Sequence, residues 1–245
     1  MHLGMINQRG IDQLNRQIKR PIITNADQSW HVFLPNAPSP FFGRDHFVVR
    51  VAELLLNRRH VTLCGPGGIG KTSLAKAVIH DSLIAERFRN RRFFTSFDGM
   101  DTTQISTRTV REQVCRAAGL DGRFNERWEE VMAFLTREDT ILVIDNAEAL
   151  AATRNADSMT RILDDLASSP SIVILVTTRS KYTFAPYLIT QVVSVPTLEY
   201  KYAQETFEYL CPQQIPTDVI DELLHGVNNH PLSVNLLARL AAQHE

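Results

Sequence analysis

Nine residues, GPGGIGKTS from Gly65 to Ser73, constrain this chain more than any other stretch. They fit the pattern G-x-x-x-x-G-K-[ST], with an apolar run, HVTLC (60–64), before them and the helical pattern SLAKAVIH after them. The four glycines Gly65, Gly67, Gly68 and Gly70, with Pro66 and Ile69 between them, let the backbone wrap closely and aim its N–H groups inward at phosphate oxygens. A helix beginning there adds its positive N-terminal end. Lys71 can then reach the β- and γ-phosphates of a nucleotide, and the Thr72 hydroxyl can hold Mg²⁺. The bland alternative is a glycine turn with a chance lysine.

A second signal lies downstream in ILVID, residues 141–145, an apolar strand ending in a carboxylate. A charge at the end of a buried strand is costly unless it meets a cation, directly or through water, and Mg²⁺ on a bound nucleotide would give Asp145 that partner. The run SIVILVT (171–177) leads into Thr178 and Arg179. Parallel sheets place strand C-termini along the ligand crevice, so Arg179 is positioned either to read a γ-phosphate or simply to be solvated at a strand end.

The rest of the chain supplies the frame. Strands are expected at HVTLC, RRFFTSF (91–97), TILVID (140–145), SIVILVT and QVVSV (191–195), with helices near 44–57, 71–87, 107–118, 126–136 and 158–168. The third and fourth strands are almost wholly apolar, as strands covered on both faces are. This cadence predicts a three-layer α/β domain with a mostly parallel sheet over residues 41–196. From 197 to 245 the pattern is helical only, at Leu198–Leu210, Asp218–His225 and Pro231–Ala242, predicting a small helical subdomain. Residues 1–40 read as an arm and linker, rich in Asn, Gln and Arg and ending in LPNAPSP.

Composition narrows the function classes. Lys plus Arg number 26 against 27 Asp plus Glu, which gives no global attraction to nucleic acid or an anionic membrane. Three cysteines, Cys64, Cys115 and Cys211, lie far apart without metal-ligand spacing, as expected of reduced thiols in the cytoplasm. No stretch approaches the ~18 apolar residues of a membrane span. RFRNRR, Arg87 to Arg92, is expected to be a solvated turn whose charge Glu86 and Asp98 dilute, with phosphate contact to nucleic acid as the alternative. Trp128 reads as half-buried packing, and Ser73 and Ser180 lack the elbow of a nucleophilic serine.

The ordered set FFGRD (41–45), GPGGIGKTS, ILVIDNAE (141–148), ILVTTRS (174–180) and NNHPLSVNLLA (228–238) resembles the STAND class of signalling ATPases, in particular the nucleotide-binding modules of NB-ARC and NACHT proteins and the novel STAND domains of fungal NOD-like receptors. The likeness spans roughly residues 38–243. It implies an ASCE-type P-loop NTPase fold with a five-stranded sheet and an ARC-like helical subdomain. Phe42, Gly43 and Arg44 would then lie beside the adenine and ribose, Pro231 would pack on the base, and Arg179 would be the first sensor. The implied cofactors are ATP or ADP with Mg²⁺. The implied partners are effector and sensor domains of a longer protein and, in the ATP state, further copies of the chain. Neither a membrane nor nucleic acid is an expected partner.

Two departures bear on chemistry. Many NB-ARC proteins carry two consecutive acids where this chain has Asp145 and Asn146, so the water-activating carboxylate is expected three residues on, at Glu148, nearer the NACHT style. An asparagine cannot take a proton from water at neutral pH. The competing reading of Glu148 is a surface glutamate opening the next helix. No winged-helix segment or repeat array follows the Pro231 helix, so the chain reads as a switch core cut from a larger receptor or a minimal member of the class. The catalytic set expected is therefore Lys71, Asp145, Glu148 and Arg179, in a slow ATPase. The rivals are a nucleotide-stabilised scaffold without turnover, a small-molecule kinase, which would need an arginine-rich lid, and a DNA-associated ATPase.

Overall fold

The structure is a computed structural model that describes residues 34–120, 127–153, 156–179 and 190–243. The expected arm up to residue 33 lies outside the described residues, as does Ser180.

Five strands form one sheet: β1 (His60–Cys64), β2 (Arg92–Ser96), β3 (Thr140–Asp145), β4 (Ile172–Thr178) and β5 (Thr190–Ser194). Their order is β2-β3-β4-β1-β5, and every neighbouring pair is parallel. Every residue of β3 and of β4 is buried, which is why both read as unbroken apolar runs. The register sets Ser96 opposite Asp145 and Cys64 opposite Thr178, so the C-terminal ends of four strands meet along one edge.

Helices cover both faces. The amphipathic α1 (Asp45–Leu56) buries Val51, Ala52 and Leu55. The long helix expected over 71–87 is two helices, α2 (Lys71–His80) and α3 (Ser82–Phe88). Asp81 causes the break, because its carboxylate accepts from Leu83 N at 3.0 Å and Ile84 N at 3.3 Å and so starts a new helix. On the sheet's far side, α4 (Thr107–Ala117) opens on a Ser106–Thr109 capping box. It is followed by α5 (Trp128–Leu135), the single turn α6 (Glu148–Ala151) and α7 (Ala156–Ala167). Trp128 is half-buried, with the Arg111 guanidinium over its ring.

The arginine run departs from the expected solvated turn. Arg91 is 8% exposed, lies over Phe93 and Phe134, and donates to Phe134 O at 2.7 Å and Leu135 O at 3.1 Å. Arg87 pairs with Asp139, and Arg92 donates to Ile79 O at 2.6 Å. A long side chain with five donors can satisfy orphan carbonyls at helix ends, and three of these arginines are engaged within the fold.

After β5 come α8 (Tyr200–Leu210), α9 (Thr217–Gly226) and α10 (Pro231–Ala241). They build their own apolar cluster, with Phe207, Ile220, Leu224 and Val234 at its centre. Between α9 and α10, Asn228 and Asn229 adopt positive φ values of 49° and 52°, a region that asparagine tolerates better than most residues. This turn aims the N-terminus of α10 at the loop between β1 and α2. Among the described residues, no helix is long and apolar enough to cross a membrane.

Candidate functional site

The loop Gly65–Gly70 leaves the end of β1 and feeds straight into α2, with Gly70 at φ 97° as the residue before the helix. Pro66, Gly67 and Gly68 are exposed, while Ile69 is buried beneath them and anchors the loop to the core. Lys71 is only 8% exposed, and its ammonium donates to Gly65 O at 2.8 Å and Pro66 O at 2.9 Å. Burial pushes the Lys71 pKa below its ordinary value; Glu148 opposes that shift and the Arg179 charge adds to it. A buried cation held by two carbonyls is a strong seat for an anion.

Beside it, the Asp145 carboxylate is 3% exposed and fully engaged. Thr72 Oγ1 and Thr177 Oγ1 each donate to Oδ1 at 2.7 Å, and Ser96 Oγ donates to Oδ2 at 3.0 Å. Three hydroxyls solvate a carboxylate that the sheet would otherwise leave dry. The structure thus brings Thr72 and Asp145 together, as expected for a pair shared around Mg²⁺. A hydroxyl and a carboxylate at hydrogen-bond distance, next to a phosphate loop, are the hard oxygen donors that this ion takes. Ser96 and Thr177 were not singled out from the sequence; their signal is a hydroxyl at the C-terminal end of a strand neighbouring Asp145.

Glu148 opens α6, and Arg179 follows β4. They face each other, with Nε of Arg179 3.0 Å from Oε1 of Glu148. Arg179 also overhangs the phosphate loop: a methyl built on Gly67 would lie 3.6 Å from its guanidinium carbon. Asn146 adopts a positive φ of 58° and donates its backbone N–H to Thr177 Oγ1 at 2.9 Å. With its amide nitrogen turned toward Glu148, its side chain donates to Oε1 at 2.8 Å and Oε2 at 3.3 Å. The two residues expected to serve a γ-phosphate therefore serve each other.

Helices α8 to α10 close the other side. A cavity of about 410 Å³ lies between Phe41, Phe42 and Arg44, the loop and helix start from Gly68 to Ser73, and Leu198, Thr206, Pro231, Leu232 and Asn235. That volume falls within the usual range for small-ligand pockets. Pro231 is the first residue of α10. The start of α10 is bonded to the loop, with Leu232 N donating to Gly68 O at 3.2 Å and His230 Nε2 lying 3.0 Å from Gly67 O. Gly68 is required there, since a methyl on it would sit 2.7 Å from Leu232 Cβ. Arg44 is committed to the connection after β5, donating to Pro196 O at 2.6 Å while its guanidinium lies over Phe47. Burial lowers its pKa.

Gly43, with φ 69°, packs on Tyr202, and a methyl there would come within 2.2 Å of the ring. We expect Gly43→Ala to cost at least ~2 kcal/mol from left-handed strain and overpacking, lowering Tm by roughly 4–8 °C. A melting curve superimposable on the wild type would remove this close contact. His230, Leu232, Thr206, Leu198 and Asn235 were missed by sequence reasoning. Asn235 alone carried a signal, lying four residues beyond Pro231 and so on the same helix face.

Comparison with known proteins agrees with this geometry. The family model described as "Novel STAND NTPase 1" matches residues 29–206, well over half of the chain. None of the curated proteins compared with the chain matches it. Among solved structures, the Walker-type ATPase PABY2304 of Pyrococcus abyssi is similar with a TM-score of 0.65 and 14% identity, over 88% of this chain and 71% of that one. The Aeropyrum pernix ORC1 protein, solved in complex with DNA, gives a TM-score of 0.64 and 18% identity, over 86% of this chain and 63% of that one. The STAND protein PH0952 of Pyrococcus horikoshii, which has a tetratricopeptide repeat sensor, gives a TM-score of 0.51 and 18% identity, over 84% of this chain and 31% of that one. At such identities these likenesses speak for the fold. Phosphate loop, strand order and family match converge: the chain belongs to the novel STAND NTPase 1 family and is a nucleotide-binding P-loop NTPase module.

Proposed function

We propose that the module is an ATP/ADP switch, holding Mg-nucleotide between the sheet domain and the helical subdomain, hydrolysing ATP slowly, and changing how the two parts dock. One observation carries this reading: the N-terminus of α10 is hydrogen-bonded to the backbone of the phosphate loop itself, at Gly67 and Gly68. Any ligand that reshapes that loop acts directly on the subdomain's attachment. Such coupling needs differential contacts in two ligand states. ADP and ATP differ in the γ-phosphate, and Arg179 overhangs the loop where that group would be read.

In this account the loop N–H groups and Lys71 hold the phosphates, while the base and ribose occupy the 410 Å³ cavity against Phe42 and Pro231. Thr72 and Asp145 would hold Mg²⁺, which would supply charge neutralisation for the phosphates. Glu148 accepts the proton of a water whose oxygen bonds to the γ-phosphorus as the bridging P–O bond breaks toward ADP. The proton then returns to solvent. In the ATP state the subdomain would shift and the chain would self-associate, within a longer cytoplasmic signalling protein bearing effector and sensor domains.

The test is Arg179→Ala. It should leave ADP affinity unchanged and weaken ATP about ten-fold, the worth of a charge-assisted hydrogen bond after the exposed Glu148 pair has been given up. Titrating both nucleotides by calorimetry decides it; an equal loss for the two would make Arg179 structural. A second reading, a nucleotide-stabilised scaffold without turnover, is favoured by the engagement of Glu148 with Arg179 and Asn146. Phosphate release from the wild type separates it from the switch.

A further inference from the structure

Three observations converge on Glu148. Its carboxylate is bound on one side by Arg179 at 3.0 Å and, in the amide orientation that satisfies both groups, on another by Asn146 at 2.8 Å. Asn146 is itself fixed, because its left-handed backbone donates to Thr177 Oγ1, which in turn donates to Asp145. Arg179 is the exposed member, with its side chain 68% accessible against 22% for Glu148, so it is the partner free to leave.

We infer that Arg179 is a latch on Glu148 that only a γ-phosphate opens, with Asn146 as the positioning residue that keeps the carboxylate in place once the arginine has left. The inference rests on the nucleotide-switch reading above and adds the control of its carboxylate. With Arg179 Nε lying 3.0 Å from Oε1, the guanidinium stands where a water would have to approach that oxygen, so this side of the carboxylate is blocked until Arg179 leaves. The guanidinium already overhangs Gly67, and a dianionic γ-phosphate competes for it better than a single carboxylate does. Such an exposed pair is weak enough to be broken by a competing ligand. Once it breaks, the Asn146 amide still donates to Glu148 and leaves its other lone pairs to water. The residue that departs from the double-acid pattern thereby acquires a function, since a second carboxylate at 146 would repel Glu148 where an amide donates to it.

The experiment is a double-mutant cycle on nucleotide binding with the 245-residue chain, using Mg-ADP and a non-hydrolysable ATP analogue. Glu148→Ala should tighten the analogue about two- to five-fold and leave ADP unchanged, because it releases Arg179 without cost. In an Arg179→Ala background the same substitution should change neither. A gain that persists in that background, or an equal change for both nucleotides, overturns the latch. If the wild type binds neither nucleotide, both the site reading and the latch fall; if it binds both and the cycle shows no coupling, the latch alone falls.

Asn146 is tested by glycine, which keeps the left-handed backbone and removes only the amide. Asn146→Gly should slow single-turnover hydrolysis about ten-fold with the analogue's Kd unchanged, whereas Asn146→Ala should also lower Tm. Hydrolysis at the wild-type rate by the glycine variant removes the positioning role. A wild type without hydrolysis removes it too, leaving the binding cycle to decide the latch.

Discussion

Lys71→Ala is expected to abolish measurable nucleotide binding. The ammonium is the one cation seated inside the loop among the described residues, held at 2.8 and 2.9 Å by the carbonyls of Gly65 and Pro66. Alanine removes the point charge and leaves the loop N–H groups alone against a polyphosphate. Stability should respond as well. A ligand present at ~100 times its Kd contributes about 2.7 kcal/mol to the folded state. For a chain of this size that corresponds to roughly 5–11 °C in Tm. With saturating Mg-ADP the wild type should therefore melt several degrees higher than the variant, and the gap should close when nucleotide is stripped from both. Equal ADP-induced shifts in the two proteins would contradict the seat assigned to Lys71.

Glu148→Gln is expected to keep ATP binding and cut turnover by at least ~100-fold, the low end for loss of a general base. The substitution preserves shape and an oxygen that can accept from Asn146, but removes the ion pair with Arg179 and the proton acceptor. Asp145 cannot take over, because three hydroxyls already donate to it and it lies 3% exposed. Single-turnover hydrolysis with enzyme in excess is the measurement. Hydrolysis at the wild-type rate would reduce Glu148 to the first residue of a short helix whose dipole favours an acid there.

The sequence carried β3 and β4 well, because burial on both faces leaves short apolar runs rich in Ile and Val, as in TILVID and IVILVTT. The phosphate loop was equally legible, since its glycines and lysine serve one geometry. The break at Asp81 was harder to see. A capping aspartate followed by good helix formers looks like continued helix until its side chain turns back on Leu83 and Ile84. Arg91 was misread because burial of a guanidinium depends on Phe93, Phe134 and two carbonyls that come together only in the fold. The docking of His230 and Leu232 on Gly67 and Gly68 joins residues about 160 positions apart, and local pattern carries no trace of it. For the same reason, Arg179 and Glu148 were each assigned a role separately while their pairing went unforeseen.

The central claim is that an adenine nucleotide sits between the phosphate loop and α10. The most direct measurement is to denature freshly purified protein, identify the released nucleotide by chromatography, and titrate the stripped protein with Mg-ADP. The account predicts ADP in near-stoichiometric amount or, after stripping, saturable binding of one Mg-ADP per chain. Protein that carries no nucleotide and does not bind added Mg-ADP or Mg-ATP would contradict it.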